Sequence, residues 1–379
     1  MIKFMKFVVA IDSYKSTMTS KTACETAVNA IRSVFPESEV IIVPAADGGE
    51  GTAQAFFSVL GGEVIKKTVT GPDFRPVEAE YVIIPNQTAV VEMAAASGLP
   101  LITVKDPEKT TTYGTGELIA DAINHGCKEI ILGLGGSATN DGGVGALSAL
   151  GIRFLKADGT LINPTGGGLS ELADIDASGM SEAAKNCRFT VACDVENTLC
   201  GEKGASAVYG PQKGATPEMI KRLDENLKHF AEIVQKKTGK DILTLKGGGA
   251  AGGFAAGFSA FFNSELKSGI KLLLETVRFD ELIKDADYIF TGEGRVDSQS
   301  AYGKVISGIG AYAQKAGVPV IAVAGDISPD YQAVLSHGVT AVFSINHLAV
   351  PFETAKLSSV DNLRDTVTNI SRLIKAAKS

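Results

Sequence analysis

Short runs of apolar and β-branched residues alternate with helical patterns along the chain. Between the first two runs, residues 20–35 carry Ala23, Ala27, Ile31 and Val34 at helical spacing, and we place the N-cap of this helix at Ser20 or Thr22. Alternation of this kind predicts βαβ units and largely parallel sheets. The predicted strands are 7–11, 40–43, 130–134, 189–193, 288–290, 320–324 and 341–345.

The same strand, helix, strand pattern returns near the end of the chain, with a helix predicted over 305–316. A chain of 379 residues exceeds the roughly 250 to 300 residues at which a single core stops growing. We therefore expect an α/β protein with two unlike α/β domains. One is a Rossmann/flavodoxin-like three-layer parallel sheet built from both chain ends, residues 1–62 plus 285–379. The other is an inserted α/β domain, residues 63–284, which includes the proline- and charge-interrupted segment 70–85.

Charge and composition narrow the classes of partner. The formal net charge of −7 offers no global attraction to nucleic acid or to anionic lipid, and no run approaches the 18 apolar residues of a membrane helix. The first apolar run is too short for a secretion signal, so a cytoplasmic protein is expected. The five cysteines contain no C-x-x-C and predict neither a disulfide framework nor a zinc site. The oligomeric state stays open.

The segment 133–143, which we call the glycine loop, follows a predicted strand and precedes a predicted helix. It matches G-x-G-x-x-[GA] through Gly133, Gly135 and Ala138, and Asp158 follows the next strand. Such a loop can cradle an anion or a dinucleotide, or it can be a tight turn with close packing, and both interpretations stay open. No P-loop and no protein-kinase motif is present.

Two further loops, 47–52 and 291–297, combine glycine with carboxylates after predicted strands. Phosphoryl transfer requires that combination, because Mg²⁺ prefers carboxylate and water oxygens while phosphates prefer backbone N–H groups and cations. The alternative for each carboxylate is the capping of a turn.

Taken together and in order, these segments resemble the bacterial glycerate kinase family of the first type across nearly the whole chain. The sequence departs from the usual pattern at Ser16, which replaces a glycine, and at Asn197-Thr198-Leu199, which replaces N-P-L. The segments that carry the resemblance are IDSYKS (11–16), PAADGGEGT (44–52), VTGPDFRPVEAEY (69–81), VVEMAAASGL (90–99), TTTYGTGELI (110–119), GLGGSATNDGGVGALSALG (133–151), DVEN (194–197), GEKGASAVYGPQKGA (201–215), GGGAAGGF (247–254) and TGEGRVDSQSAYGK (291–304).

The resemblance implies phosphorylation of D-glycerate by ATP with Mg²⁺, at the 2-position in preference to the 3-position, with substrate between two unlike domains. We expect Asp12, Lys15 and Asp194 to be catalytic, with Asp194 as the general base that accepts the proton of the glycerate hydroxyl. Metal contacts are expected from Glu293 and Asp297. Substrate or phosphate contacts are expected from Ser13, Asp47, Glu50, Thr115, Gly135, Gly136, Ser137, Asn140, Lys213 and Arg295.

Two other functions are compatible with parts of the sequence. A NAD-dependent oxidoreductase of a small hydroxy acid could use the glycine loop, but the other glycine-rich loops would then have no purpose. A non-enzymatic protein that binds a small anion would usually carry an export signal. Small-molecule partners are expected in every case.

Overall fold

The computed structural model describes residues 4–45, 48–49, 51–301 and 304–378. It confirms the α/β class and each of the seven predicted strands; two of them are longer than predicted, β11 by six residues and β12 by three, and the other ends shift by at most one residue. The strands are β1 (Lys6–Ile11), β2 (Glu39–Ile42), β3 (Glu63–Thr70), β4 (Pro76–Ile84), β5 (Thr88–Glu92), β6 (Glu129–Gly133), β7 (Arg153–Leu155), β8 (Asp174–Asp176), β9 (Arg188–Ala192), β10 (Ser264–Lys267), β11 (Tyr288–Val296), β12 (Val320–Ile327) and β13 (Ala341–Ser344).

Helices connect most of these strands, and the helix predicted over 305–316 is confirmed at both ends. The α-helices are α1 (Ser20–Val34), α2 (Thr52–Leu60), α3 (Met93–Ser97), α4 (Tyr113–Asn124), α5 (Val144–Ala149), α6 (Glu182–Asn186), α7 (Ala205–Tyr209), α8 (Pro217–Thr238), α9 (Ala250–Phe261), α10 (Gly269–Thr276), α11 (Phe279–Leu282), α12 (Val305–Ala316), α13 (Phe352–Ala355) and α14 (Ser359–Lys378). Short 3₁₀ helices cover Leu99–Leu101, Gly168–Glu171, Pro211–Lys213, Ser298–Ala301, Tyr331–His337 and Lys356–Ser358.

The chain forms two compact units. The first comprises Met1–Asp47, Gln54–Leu60 and Ser268–Ser379, and the second comprises Gly48–Ala53 and Gly61–Lys267. The domain boundaries drawn from the sequence, after residue 62 and before residue 285, remain predictions.

The first unit contains a five-stranded sheet in the order β2–β1–β11–β12–β13, and every neighbouring pair is parallel. Numbered by occurrence in this unit, the order is 2-1-3-4-5, which is the flavodoxin-like order. The pairing of β1 with β11 confirms that the two chain ends share a sheet. Val8 and Val9 point to opposite faces and are both fully buried, so helices cover both faces of this sheet.

Helices α1 and α14 pack on the face that holds Phe7 and Val9, and α12 packs against β11 and β12. The N-cap of α1 is Thr19, whose Oγ1 accepts from the Thr22 N–H at 3.2 Å, so the expected cap at Ser20 or Thr22 was wrong. The hydroxyl of Ser20 instead donates to the Ile11 carbonyl at 2.6 Å, because the helix begins beside the end of β1.

The second unit contains a six-stranded sheet in the order β10–β9–β6–β5–β4–β3. Strands β5, β6, β9 and β10 are parallel, whereas β4 is antiparallel to both β3 and β5. The expectation of largely parallel sheets therefore holds for the first sheet and for four strands of the second. Segment 70–85, which we predicted only as an interrupted stretch, supplies β4.

A close approach of two glycines fixes α12 in the first unit. A Cβ atom on Gly310 would lie 2.1 Å from the carbonyl oxygen of His337, and one on Gly338 would lie 2.2 Å from the carbonyl oxygen of Gly310. Gly338 also has a φ of +90°, which favours glycine. The backbone of α12 therefore lies directly against the segment after the 3₁₀ helix Tyr331–His337.

We predict that Gly310→Ala lowers the free energy of unfolding by about 1 to 3 kcal/mol, because a backbone carbonyl cannot move aside for the added methyl group. Gly308→Ala in the same helix is the matched control. Its Cβ would lie 3.0 Å from the Ile270 side chain, which can give way, and alanine gains about 1 kcal/mol in helix propensity. Urea denaturation of both variants checks this, and equal unfolding midpoints would contradict it.

Candidate active site

A cavity of about 510 Å³ opens at the carboxyl ends of the strands in the first unit. Its lining comes from the segments that follow β1 and β13, from the carboxyl-terminal parts of β11 and β12, and from the starts of α12, α13 and α14. In open α/β sheets ligands bind at this edge, where the strand order reverses, and here that point lies between β1 and β11. Six of the residues expected from the sequence line this one cavity: Asp12, Ser13, Lys15, Glu293, Arg295 and Asp297.

The turn after β1 presents Lys15 at an exposed tip. The Tyr14 N–H donates to the Met18 carbonyl at 2.9 Å, and the Tyr14 hydroxyl donates to the Val323 carbonyl at 2.8 Å. Ser16, one of the two departures from the pattern of the resembled family, has a φ of +68°, in the left-handed region that favours glycine. The departure at Ser16 therefore keeps the turn at some cost in backbone strain.

Asp12 stands where β1 ends. Its N–H donates to the Gly292 carbonyl at 2.9 Å, and its Oδ1 accepts from the Ser13 N–H at 2.6 Å. Cys24 lies nearby on α1, and burial raises the pKa of its thiol to about 12. The five cysteines, all within the described part of the chain, form no disulfide. Cys24 is therefore a buried free thiol.

Acidic residues at the end of β11 face the same cavity. Asp297 also caps a turn, since its Oδ1 accepts from the Gln299 N–H at 2.9 Å and from the Ser300 N–H at 3.3 Å. Arg295 is exposed, and its Nε lies 3.6 Å from Asp326 Oδ2. Within the described ranges, no group of three His, Cys, Asp or Glu residues is close enough to hold a metal ion by itself.

Helix α12 supplies a feature that we did not predict. Its N-cap is Lys304, and Lys304 and Val305 both line the cavity. A helix N-terminus carries a partial positive charge and binds anions, and a lysine there adds a full charge. Lys304 is the last residue of the segment 291–304, which carries part of the family resemblance. Its place in that segment is the feature of the sequence from which it could have been predicted.

In the second unit, the ends of β5, β6 and β9 lie in register at Glu92, Gly133 and Ala192. The Glu92 carboxylate accepts from the Ala53 N–H at 2.7 Å and from the Gly51 N–H at 3.3 Å, so it caps the start of α2. We did not predict Glu92, although it lies in a segment that carries the resemblance. Asp194 follows β9 and is exposed.

The glycine loop is held mainly by bonds within the second unit. Gly135 donates its N–H to the Gly48 carbonyl at 3.2 Å, Ala138 to Ser97 at 2.9 Å, and Gly142 to Gly252 at 3.0 Å. Gly135 is half-buried and Gly136 is exposed, with a φ of +74°. Only the tip of the loop is therefore accessible to a ligand.

A buried carboxylate, Asp141, closes the far end of the loop. Its Oδ2 accepts from the N–H and hydroxyl of Thr112 at 2.9 and 2.8 Å, and its Oδ1 accepts from the Gly143 N–H at 3.1 Å. Burial raises the pKa of Asp141, while the hydrogen bonds from Thr112, Gly143 and Gly145 act in the opposite direction. The Asp141 carboxylate thus accepts from N–H groups at the start of α5, which are the donors that an anion there would need.

Lys213 lies behind the glycine loop and is only 2% exposed. Its Nζ donates to Ser137 Oγ at 2.8 Å and to the Thr139 carbonyl at 2.6 Å. Burial lowers the pKa of Lys213 to about 7, and the charge of Asp141 opposes that shift. The ammonium group is therefore engaged in holding the loop.

Two further expected side chains of this unit, Asn140 and Thr115, are also buried, whereas Asp194 is exposed. Asn140 donates through Nδ2 to Ser206 Oγ at 2.9 Å, and Thr115 shares a hydrogen bond of 2.8 Å with the Ser97 hydroxyl. Asp47 and Glu50 lie outside the described residues.

The geometry does not support a dinucleotide site at the glycine loop. Strand β7, which follows the loop and α5, pairs antiparallel with β8 and does not join the six-stranded sheet. Asp158 is exposed and caps its own turn through the Thr160 N–H at 2.9 Å. A dinucleotide fold needs a parallel βαβ unit and an acid that reaches the ribose.

None of the helices in the described part of the chain is both long enough and apolar enough to cross a membrane.

Comparison with known proteins agrees along the full length. The sequence model of the Glycerate kinase family matches residues 7–375. The chain is 46% identical over 378 residues to the glycerate kinase of Bacillus subtilis (strain 168), and the alignment covers 99% of each chain. It is 44% identical over 370 residues to the glycerate 2-kinase of Escherichia coli (strain K12), with 97% of each chain covered.

One solved structure is similar throughout. A crystal structure of a candidate glycerate kinase 2 from Salmonella typhimurium LT2 has a TM-score of 0.88 and 42% identity, covering 99% of this chain and 100% of that one. The chain belongs to the glycerate kinase family.

Proposed function

We propose that this chain transfers the terminal phosphoryl group of ATP to the 2-hydroxyl of D-glycerate, with Mg²⁺ as the metal ion. The family membership supports the kinase reaction, and the name of the Escherichia coli relative supports the 2-position. The observation that carries the proposal is the cavity at the strand ends of the first unit, because it gathers six residues expected for phosphoryl transfer.

The phosphates of ATP bind at the cationic side of this cavity. Lys15 is exposed at the tip of its turn, and Lys304 begins α12, so both can reach an anion. The triphosphate is strongly negative and forms charge-assisted hydrogen bonds with such side chains, and a helix N-terminus adds backbone N–H donors. Arg295 is held loosely by Asp326 at the surface and can turn toward the transferred group.

The carboxylates of Glu293 and Asp297, with Asp12 beside them, fit Mg²⁺. This ion is usually held by one or two carboxylates together with water and substrate phosphates, so a closed cluster of three protein ligands is not required. Asp297 keeps Oδ2 for the metal while Oδ1 caps its turn. When bound, Mg²⁺ neutralises charge that develops on the phosphates.

Asp194 acts as the general base toward glycerate. The segment that follows it is anchored through Asn197, whose Oδ1 accepts from the Tyr209 hydroxyl at 2.8 Å and whose Nδ2 donates to the Lys203 carbonyl at 2.8 Å. Asp194 is exposed at the end of β9, so its carboxylate can receive the hydroxyl proton of a bound substrate.

The glycine loop binds substrate through the backbone at Gly135 and Gly136, the accessible tip. Ser137, Asn140 and Lys213 are positioning residues, because all three are buried and hydrogen-bonded: Lys213 holds the loop from behind, and Ser137 and Asn140 anchor it from within. Thr115 supports Ser97 in the same way.

The reaction is tested by phosphorus NMR of the product formed from D-glycerate and Mg-ATP. Phosphorylation at the 2-position places phosphorus next to one methine proton and gives a doublet, whereas the 3-position gives a triplet from two methylene protons. We expect the doublet, with L-glycerate as the control substrate and EDTA as the metal control. A triplet would contradict the regiochemistry, and no new phosphorus resonance would contradict the function.

Asp194→Asn should lower kcat for glycerate by about 100- to 10,000-fold, because the amide cannot accept the proton. The affinity for ATP should stay near that of the unaltered protein, measured by calorimetric titration. Glu196→Gln is the matched control, since Glu196 is 77% exposed in a surface ion pair with Lys246. Unchanged turnover of Asp194→Asn would remove this residue from the mechanism.

The lowered pKa of Lys213 predicts that the stability of the protein depends on pH. Its pKa is about 7 in the folded state and 10.5 as the ordinary value, so between these limits the unfolded chain binds more protons. The cost of burying the charge is full below pH 7 and is relieved as the pH rises. Relative to Lys213→Met, the unaltered protein should therefore gain unfolding free energy from pH 7 to 10, by up to about 1.4 kcal/mol per pH unit.

Urea denaturation across this pH range measures the effect. Lys221→Met, at an exposed position of α8, is the control and should show no such difference. Parallel stability curves for the unaltered protein and Lys213→Met would contradict the buried, proton-losing lysine.

A further inference from the structure

The cavity of the first unit has two unlike ends. At the ends of β1 and β11 it is lined by carboxylates and cations, as described above. At the end of β13 its lining includes the apolar side chains of Ile345, Phe352 and Ala355, together with Asn346, Lys356 and Ser359. Ile345 and Ala355 are buried, whereas Phe352 keeps 56% of its surface exposed. A large aromatic ring at the wall of a cavity is the kind of exposed apolar group that marks a ligand contact.

The distance between the two ends follows from the sheet. Strands β1 and β13 are separated by β11 and β12, which makes three strand spacings. At about 4.8 Å per spacing, the ends lie about 14 Å apart. A ligand that spans the cavity is therefore elongated, with charged groups at the ends of β1 and β11 and a flat apolar group that also carries polar atoms at the end of β13.

We infer that Phe352 and Ile345 hold the base of the nucleoside triphosphate, which rests on the proposed function. Glycerate has three carbons, each with a polar substituent, so it offers nothing apolar for this end. An extended nucleotide places its base and its terminal phosphate at opposite ends, as the cavity does. A base has a flat π-face that stacks on an aromatic ring, and such stacking tolerates different bases.

Neighbouring groups hold the Phe352 ring and add polar recognition. Lys356 Nζ lies 6.0 Å from the centroid of the Phe352 ring and also forms an ion pair with Glu353. The lysine therefore contacts the ring on one side. Asn346, which also lines this end, donates through Nδ2 to the Gly325 carbonyl at 2.5 Å. That bond fixes the amide so that Oδ1 can accept from an amino group of the base.

Phe352→Ala should weaken ATP binding by about 5- to 100-fold, as expected for the loss of one stacked base. The rise should appear in the KM for ATP, with kcat and the KM for glycerate nearly unchanged. Leu357→Ala is the matched control, because Leu357 is 82% exposed, follows closely in the chain and does not line the cavity.

Inorganic tripolyphosphate, which has phosphates but no base, distinguishes the contribution of the base to binding from that of the phosphates. As a competitive inhibitor it should bind Phe352→Ala as well as it binds the unaltered protein, whereas ADP should bind the variant more weakly. If Phe352→Ala lost the same factor of affinity for both inhibitors, or kept full affinity for both, the inference would be overturned. The proposed function would still stand if the unaltered protein phosphorylates glycerate in the same assay.

A spectroscopic readout is independent of turnover. The chain has no tryptophan, so Phe352→Trp introduces the sole indole. ATP should quench its fluorescence by stacking, tripolyphosphate should do so much less, and Leu357→Trp should respond to neither. An identical response of Phe352→Trp to ATP and to tripolyphosphate, or no response to saturating ATP, would place the base elsewhere.

Discussion

The parallel pairing of β1 with β11 is the interaction on which the site in the first unit depends. It joins residues about 280 positions apart, for example through the hydrogen bond from the Lys6 N–H to Asp287. Closing so long a loop costs little more than closing a short one, because the entropy grows only with the logarithm of length. Buried Phe7, packed near Tyr288 and Phe290, supplies the compensating contacts. Once β1 and β11 are adjacent, Asp12 and Glu293 must meet at one edge.

In the second unit, buried polar contacts keep the glycine loop in one conformation. A loop of this composition loses much entropy on folding, and its backbone groups must be satisfied. Asp141 within the loop and Lys213 behind it are buried and bond to its backbone and hydroxyl groups. Burial is unfavourable for both charges, as their opposite pKa shifts show. The rigid loop leaves only its tip, at Gly135 and Gly136, for contact with a ligand.

Much of the first unit could be predicted from the sequence, because its central strands β1, β11 and β12 each contain an uninterrupted buried run of apolar and small residues. The proximity of Lys15 and Glu293 could be predicted from these strands, because the carboxyl ends of parallel strands lie at the same edge of a sheet. The hairpin of β3 and β4 was missed because Lys66 pairs with Glu80 across it, and alternating charges on a half-exposed hairpin do not resemble a core strand. The burial of Lys213 was equally invisible, because lysine is almost always on the surface and only tertiary contacts place it inside.

We propose that the nucleotide binds at the strand ends of the first unit and that the glycine loop does not hold its phosphates. A crystal structure with a non-hydrolysable ATP analogue and Mg²⁺ tests this most directly. We expect density for the phosphates beside Lys15 and Lys304, with the metal ion at Glu293 and Asp297. Phosphate density on the glycine loop, with the cavity of the first unit empty, would contradict the account.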